Sequence, residues 1–201
     1  AVMIAENQDD LYIKARVYFI YGVFIVQWKS GYAKSIEYNR LAQQYTEQMG
    51  MNYITTACSC FLCNSKFAAG DLLSDVEDEV RKQQERFIKY QSFLAKFYLQ
   101  ELQHWLTALK NPQQSLDWNL PISYENDKAV AMMHYSLRLK MAYLFGNDEQ
   151  IQVALNVLQP INKKVFTLPT TPTYHVFRCL SYLDYIRNRS VLQESITESW
   201  K

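Results

Sequence analysis

Glycine and proline are scarce, five of each in 201 residues. A chain so sparingly punctuated favours a few long elements over many short strands joined by tight turns. The scattered glycines also leave neither the phosphate-binding loop nor the dinucleotide-binding pattern to be written. Histidine is rarer still. His104, His134 and His175 lie far apart, with no HExxH and no clear triad partner, so each reads as a packing or surface residue. Charge of one sign is missing as well: 21 Lys and Arg stand against 20 Asp and Glu, for a net charge of +1. No whole-chain field calls for nucleic acid or an anionic membrane, and no basic stripe interleaves with the aromatics. The most apolar stretch, Val17 to Val26, is about half the length of a bilayer-spanning helix. The start lacks the basic and apolar regions of a signal peptide. The expectation is a soluble, cytoplasmic domain without membrane insertion. Ala1-Val2 opens without an initiator Met and Ser199-Trp200-Lys201 closes inside a helical segment. That reads as a piece of something longer.

Three of the four cysteines, Cys58, Cys60 and Cys63, fall within six residues. Such crowding suits reduced thiols better than a disulfide framework. Cys60-Phe61-Leu62-Cys63 is formally CxxC, but no second CxxC or His pair follows, and the motif falls in mid-helix rather than at a helix start. Buried small hydrophobes are the expectation; a metal or redox switch is the weaker alternative. No cofactor is expected. Asn188-Arg189-Ser190 matches a glycosylation acceptor by chance, since nothing points to secretion.

What is present is helical period. The stretch His134 to Pro160 reads as two short antiparallel helices joined at Gly146-Asn147-Asp148. Met133, Leu137, Met141 and Leu144 share one face of the first, and Ile151, Ala154, Leu155 and Leu158 one face of the second. Gly146 can end a helix, Asn147 or Asp148 can cap the next, and the turn serves to reverse the chain. Upstream, Asp9-Asp10 precede a long apolar segment to Lys29, read as a buried helix, with a strand over Val17–Val26 as the rival. Gly22 within it marks a close helix contact. Ser30-Gly31 is a break. Tyr38, Leu41, Ala42, Tyr45 and Met49 then share a face up to Gly50. Asn52 can cap a third helix, with Tyr53, Ala57, Cys60, Phe61 and Ala68 on one face and Gly70-Asp71 at its end. Ser74 to Lys89 is a charged helix with Leu72, Val76, Val80 and Phe87 as its apolar side. Its spacing predicts the pairs Glu77–Arg81, Asp78–Lys82 and Glu85–Lys89. Leu94, Phe97 or Tyr98, Leu102, Trp105 and Leu109 mark a fifth helix, stopped at Asn111-Pro112. A loop, Gln113–Ser123, is anchored by Trp118. An extended crossover, Ile161–Thr173, precedes a helix capped by Thr173, and Ser190 to Gln193 opens a last one.

These sum to roughly nine helices, paired at about 35–45 residues per pair, the range of tetratricopeptide-like repeats. The predicted fold is all-α, a right-handed α-α superhelix of about four antiparallel pairs, with a non-repetitive bundle as the rival. One helical-repeat domain spans 1–201: first pairs over 9–110, a linker over 111–123 and later pairs over 124–201.

Tyr21-Gly22, Phe24, Trp28, Tyr38, Ala42 and Gly50, in YFIYGVFIVQWKSGYAKSIEYNRLAQQYTEQMG, resemble the helical-repeat region of large bacterial sensor kinases. Those proteins join a serine/threonine kinase-like domain, an AAA-type ATPase, a GAF sensor and a histidine kinase. MAYLFGNDEQIQVAL is similar to a later helix pair of that region, and Asn147-Asp148 departs from its acidic-aromatic pair. The resemblance spans about Leu11 to Ile186 and carries no catalytic residue. It implies a non-enzymatic interaction and signal-relay scaffold whose partners are neighbouring ATPase, GAF or kinase domains. A small-ligand effector-sensing domain of a regulatory ATPase is the alternative. Candidate groove residues, on first helices of pairs, are Arg16, Tyr135 and Arg138.

Overall fold

The structure is a computed structural model that describes residues 2–90, 92–111, 118, 127–162 and 174–187. Their regular structure is all helix, without a strand among the described residues. They fall into two compact units, one built from residues up to Asn111 and the other from Trp118, 127–162 and 174–187. The crossover over 163–173 with its Thr173 cap, the last helix from Ser190, the acceptor at Asn188 and the 113–123 loop other than Trp118 lie outside the described residues. So do the side chains of Phe87, Lys89 and Leu94.

In the first unit a short helix α1 (Val2–Glu6), which the sequence pattern did not single out, buries Ala5. Asp10 then caps α2 (Leu11–Ile20): its Oδ1 accepts from the Tyr12 and Ile13 amides at 2.8 and 3.2 Å. The chain continues through a π-helical turn (Tyr21–Ile25) into α3 (Val26–Ser30), so the apolar segment is helix and not strand. The widened turn is where Gly22 meets the next helix, α4 (Tyr32–Gln48). A Cβ on Gly22 would stand 3.0 Å from Tyr38 Cβ and 3.1 Å from the Asn39 amide nitrogen. The Gly22 carbonyl accepts from Ser35 Oγ at 2.6 Å. Irregular turns of this kind need a partner for displaced backbone groups, and Ser35 supplies one.

The buried face of α4 differs from the apolar stripe that its period suggested. Ala42 is sealed, but Met49 is 42% exposed, and the other buried positions are Ser35, Asn39, Gln43 and Thr46. They meet a matching polar row on α5 (Asn52–Ala69). Ser35 Oγ lies 3.0 Å from Ser65 Oγ, Gln43 Nε2 donates to Ser59 Oγ at 2.5 Å, and Thr55 Oγ1 donates to Thr46 Oγ1 at 3.0 Å. Small side chains let two helices approach closely, and each buried hydrogen bond contributes roughly 1 kcal/mol net. The apolar residues of α4 work beside the seam: Tyr18 stacks on Tyr45 at 5.6 Å, over Ala42 and Cys58.

α5 starts at Asn52, behind Met51, and Asn52 does not cap it; Tyr53 is 78% exposed. α6 (Leu73–Tyr90) and α7 (Phe93–Lys110) complete the unit. Val76 and Val80 are sealed, whereas Leu72 is exposed. Of the predicted charge pairs along α6, Glu85–Lys89 lies outside the described side chains, while Glu77 and Asp78 take other partners than Arg81 and Lys82. Glu77 pairs with Lys110 at 2.6 Å and accepts from Gln103 at 2.8 Å, while Arg81 turns to Asp78 at 2.8 Å. An exposed i, i+4 pair is worth a few tenths of a kcal/mol, too little to outweigh a contact that also packs α6 on α7. α7 seals Leu99, Leu102, Trp105 and Leu106.

The second unit contains α8 (Lys128–Leu144), α9 (Asp148–Asn162) and α10 (174–187). Gly146, at φ +64°, ends α8, and Asn147 opens α9, its Oδ1 accepting from the Gln150 amide at 3.1 Å. Ile151, Ala154, Leu155 and Leu158 are buried together with Met133, Leu137 and Met141; Leu144 is half exposed.

Replacing Gly22 with alanine places a methyl against backbone that cannot yield as a side chain would. The expected cost is about 1–3 kcal/mol, read as a lower urea midpoint with an unchanged slope. An unchanged midpoint would show that the close approach is not tight in solution.

Candidate functional site

α8 is buried nearly all round, so its polar side chains must be buried with it. His134, Ser136 and Arg138 are 1, 1 and 5% exposed. Of these, Arg138 carries a charge at any accessible pH. Its Nε donates to Gln150 Oε1 at 2.9 Å, and Nη2 donates to the same oxygen. The guanidinium carbon lies 5.2 Å from the centroid of the Tyr135 ring and 5.9 Å from that of Trp118. Among the described residues no carboxylate forms an ion pair with it. Burial pulls its pKa below the usual arginine value. Two residues on, burial draws the Lys140 ammonium down to about 8.

A cleft of about 820 Å³ lies in the same unit, lined by Tyr143, Ile151, Leu155, Tyr182 and Tyr185, with Asp148 and Asp184 among its walls. Tyr143 sets its ring edgewise on Phe177 at 5.6 Å, and its hydroxyl pairs with Asp184, which raises the phenol pKa. The cleft also touches Gly146. The turn read from sequence as a simple reversal therefore also borders a concave surface.

The three candidate groove residues are placed as follows. Tyr135 and Arg138 stand together in the second unit. Arg16 belongs to the first, exposed on α2, with its Nη1 donating to Tyr12 OH at 2.5 Å and its guanidinium 5.4 Å from that ring. Sequence reasoning did not reach Gln150 as the partner of Arg138, and it read Trp118 as an anchor for a loop, not as a wall beside Arg138. The legible signal was a lone arginine inside an apolar helix.

The cysteines are where the spacing placed them, in the middle of α5, with Cys58 and Cys63 sealed and Cys60 nearly so. Desolvation pushes all three thiols well above their ordinary pKa. Cys179, on α10, is exposed. His104 packs edgewise on Trp105 at 5.2 Å, His134 on Tyr135 at 4.9 Å, and His175 lies 5.0 Å from Tyr174. Among the described residues no group of His, Cys, Asp and Glu is placed to hold a metal ion.

Two outcomes follow for the thiols. A thiol reagent at neutral pH labels Cys179 rapidly and Cys58, Cys60 and Cys63 only as the protein unfolds. Rapid labelling of all four would contradict the burial. Above about pH 8.5 the unfolded thiols lose protons that the folded ones keep, so the unfolded state binds fewer protons and stability falls as pH rises. The slope is at most about 1.4 kcal/mol per pH unit for each thiol. Lys140 acts in the opposite direction, its folded ammonium releasing its proton near pH 8 while the unfolded one still holds it. Denaturation of wild type and of C58A/C60A/C63A across pH 8 to about 9.5, below the range in which unfolded tyrosines titrate, separates the contributions, the variant losing the downward slope.

Comparison of the chain with protein-family models, with curated proteins and with solved structures returned no match. What the site can do therefore follows from its own residues.

Proposed function

We propose that this chain is a non-enzymatic scaffold for protein contacts, a tetratricopeptide-like right-handed stack of helix pairs that relays signals within a multidomain sensor kinase. Helix pairing supports the architecture. The hydrogen bonds run antiparallel from α4 to α5, the Glu77–Lys110 contact does the same for α6 and α7, and Arg138–Gln150 for α8 and α9. The observation that carries the function is the tyrosine-rich cleft of the second unit. Tyrosine offers large, stiff contact area with a polar tip, and helix-lined grooves of this size take an amphipathic segment. Asp148 and Asp184 in its walls favour a segment with basic as well as apolar side chains. The place in a sensor kinase rests on the likeness of Tyr21-Gly22, Phe24, Trp28, Tyr38, Ala42 and Gly50 to that family's layout. The relay would act through a change in helix stacking that alters how neighbouring ATPase, GAF and kinase domains meet.

Tyr182 and Tyr185 are 48 and 50% exposed, so replacing both with serine leaves the core intact. The double variant is expected to bind a neighbouring domain of the parent protein at least about tenfold more weakly at unchanged thermal stability. A wild-type chain that binds no neighbouring domain in titration calorimetry would sink the scaffold reading. A parent reading frame without kinase domains would remove the sensor-kinase placement alone.

A further inference from the structure

Two carboxylates line the cleft of the second unit from different helices, Asp148 from the first turn of α9 and Asp184 from α10. Among the described residues neither takes part in an ion pair, whereas Glu47, Glu77 and Glu79 of the first unit each meet a cation. Beside them the lining holds Tyr143, Tyr182, Tyr185, Ile151 and Leu155, and no lysine, arginine or histidine. Tyrosine faces attract a cation, and a concave wall of one charge sign concentrates counter-charge. One of these rings already attends a cation: Arg178, outside the lining, keeps its guanidinium carbon 5.6 Å from the Tyr182 centroid. The kind of cation follows from the acceptors. A guanidinium fork is matched by one carboxylate that presents both oxygens, and Asp184 already accepts from the Tyr143 hydroxyl. An alkylammonium is a compact charge with three rotatable donors, which acceptors on two separate helices can share. The four-carbon stem of a lysine suits the apolar lining, and a cleft of about 820 Å³ has room for it.

We infer that this cleft seats a lysine side chain of the bound segment, with Asp148 and Asp184 as the acceptors of its ammonium and Ile151, Leu155 and the tyrosine rings along its stem. This rests on the cleft being the contact surface of the scaffold, and it adds which side chain that surface selects.

The test is an NMR titration of the full chain at constant ionic strength with three probes. They are n-butylammonium chloride, which is the lysine side chain as a free ion, N-propylguanidinium chloride, and uncharged 1-butanol. n-Butylammonium is expected to shift the Ile151 and Leu155 methyl signals saturably, with a half-saturation at least about threefold below that of either other probe. Asp148 and Asp184 are exposed, so Asp148→Asn and Asp184→Asn keep the fold, and the amide oxygen at 184 still accepts from Tyr143. Each is expected to weaken n-butylammonium at least about threefold. Glu149→Gln removes the same charge from outside the lining and is expected to leave the affinity unchanged. Equal binding of 1-butanol, tighter binding of N-propylguanidinium, shifts confined to residues outside the cleft, or an equal loss in Glu149→Gln would each overturn the lysine seat. None of these outcomes touches the scaffold itself, which stands or falls on the calorimetry with neighbouring domains.

Discussion

The first unit depends on a seam of hydroxyl and amide side chains between α4 and α5. Apolar surfaces attract without direction and tolerate sliding; hydrogen bonds of 2.5–3.0 Å between Ser35 and Ser65, Gln43 and Ser59, and Thr46 and Thr55 do not. Burying that many polar atoms is favourable only if each meets a partner, so the row sets the register of the two helices. The seam extends outward from there. Gln43 also donates to Gln83 on α6, which donates to Glu79, and Glu79 lies 3.2 Å from Arg40 and 3.8 Å from Lys66. At its other end Ser35 fastens the Gly22 turn, and Asn39 donates to Ser35 at 3.1 Å. α2, α4, α5 and α6 are thereby ordered through one polar row.

The second unit solves the same problem of buried polarity with less compensation. α8 carries Arg138 into an apolar surrounding where an amide and two rings attend it. A row of hydrogen bonds that spans two helices fixes their register, whereas a buried cation held by one amide oxygen and two ring faces is fixed at a single point.

Much of the architecture was legible because it depends on local chemistry. Gly31 and Gly50 stand where positive φ ends or breaks a helix, Asp10 and Asn147 cap as their side chains allow, and the α9 face reads directly from its period. The failures share a cause. A period counted in apolar residues passes over Ser35, Asn39, Gln43 and Thr46, whose own spacing is as helical as that of the tyrosines. The i, i+4 rule paired Glu77 with Arg81 because it cannot see Lys110, which is brought in by the packing of α7 on α6. Likewise Tyr135 and Arg138 could be named from their place on α8, but Gln150 and Trp118 are partners chosen by tertiary structure.

The polar seam also bears on how such a chain can drift over evolutionary time. In an oily interface a leucine may become methionine or isoleucine one step at a time, each step costing little. An apolar residue in place of Ser35 takes from the Gly22 carbonyl its donor, from Asn39 Nδ2 its acceptor and from Ser65 Oγ its partner across the seam, so one exchange unsettles three groups at once. Homologous chains should therefore hold position 35 far more tightly than the aromatic shoulder around Tyr18 and Tyr45.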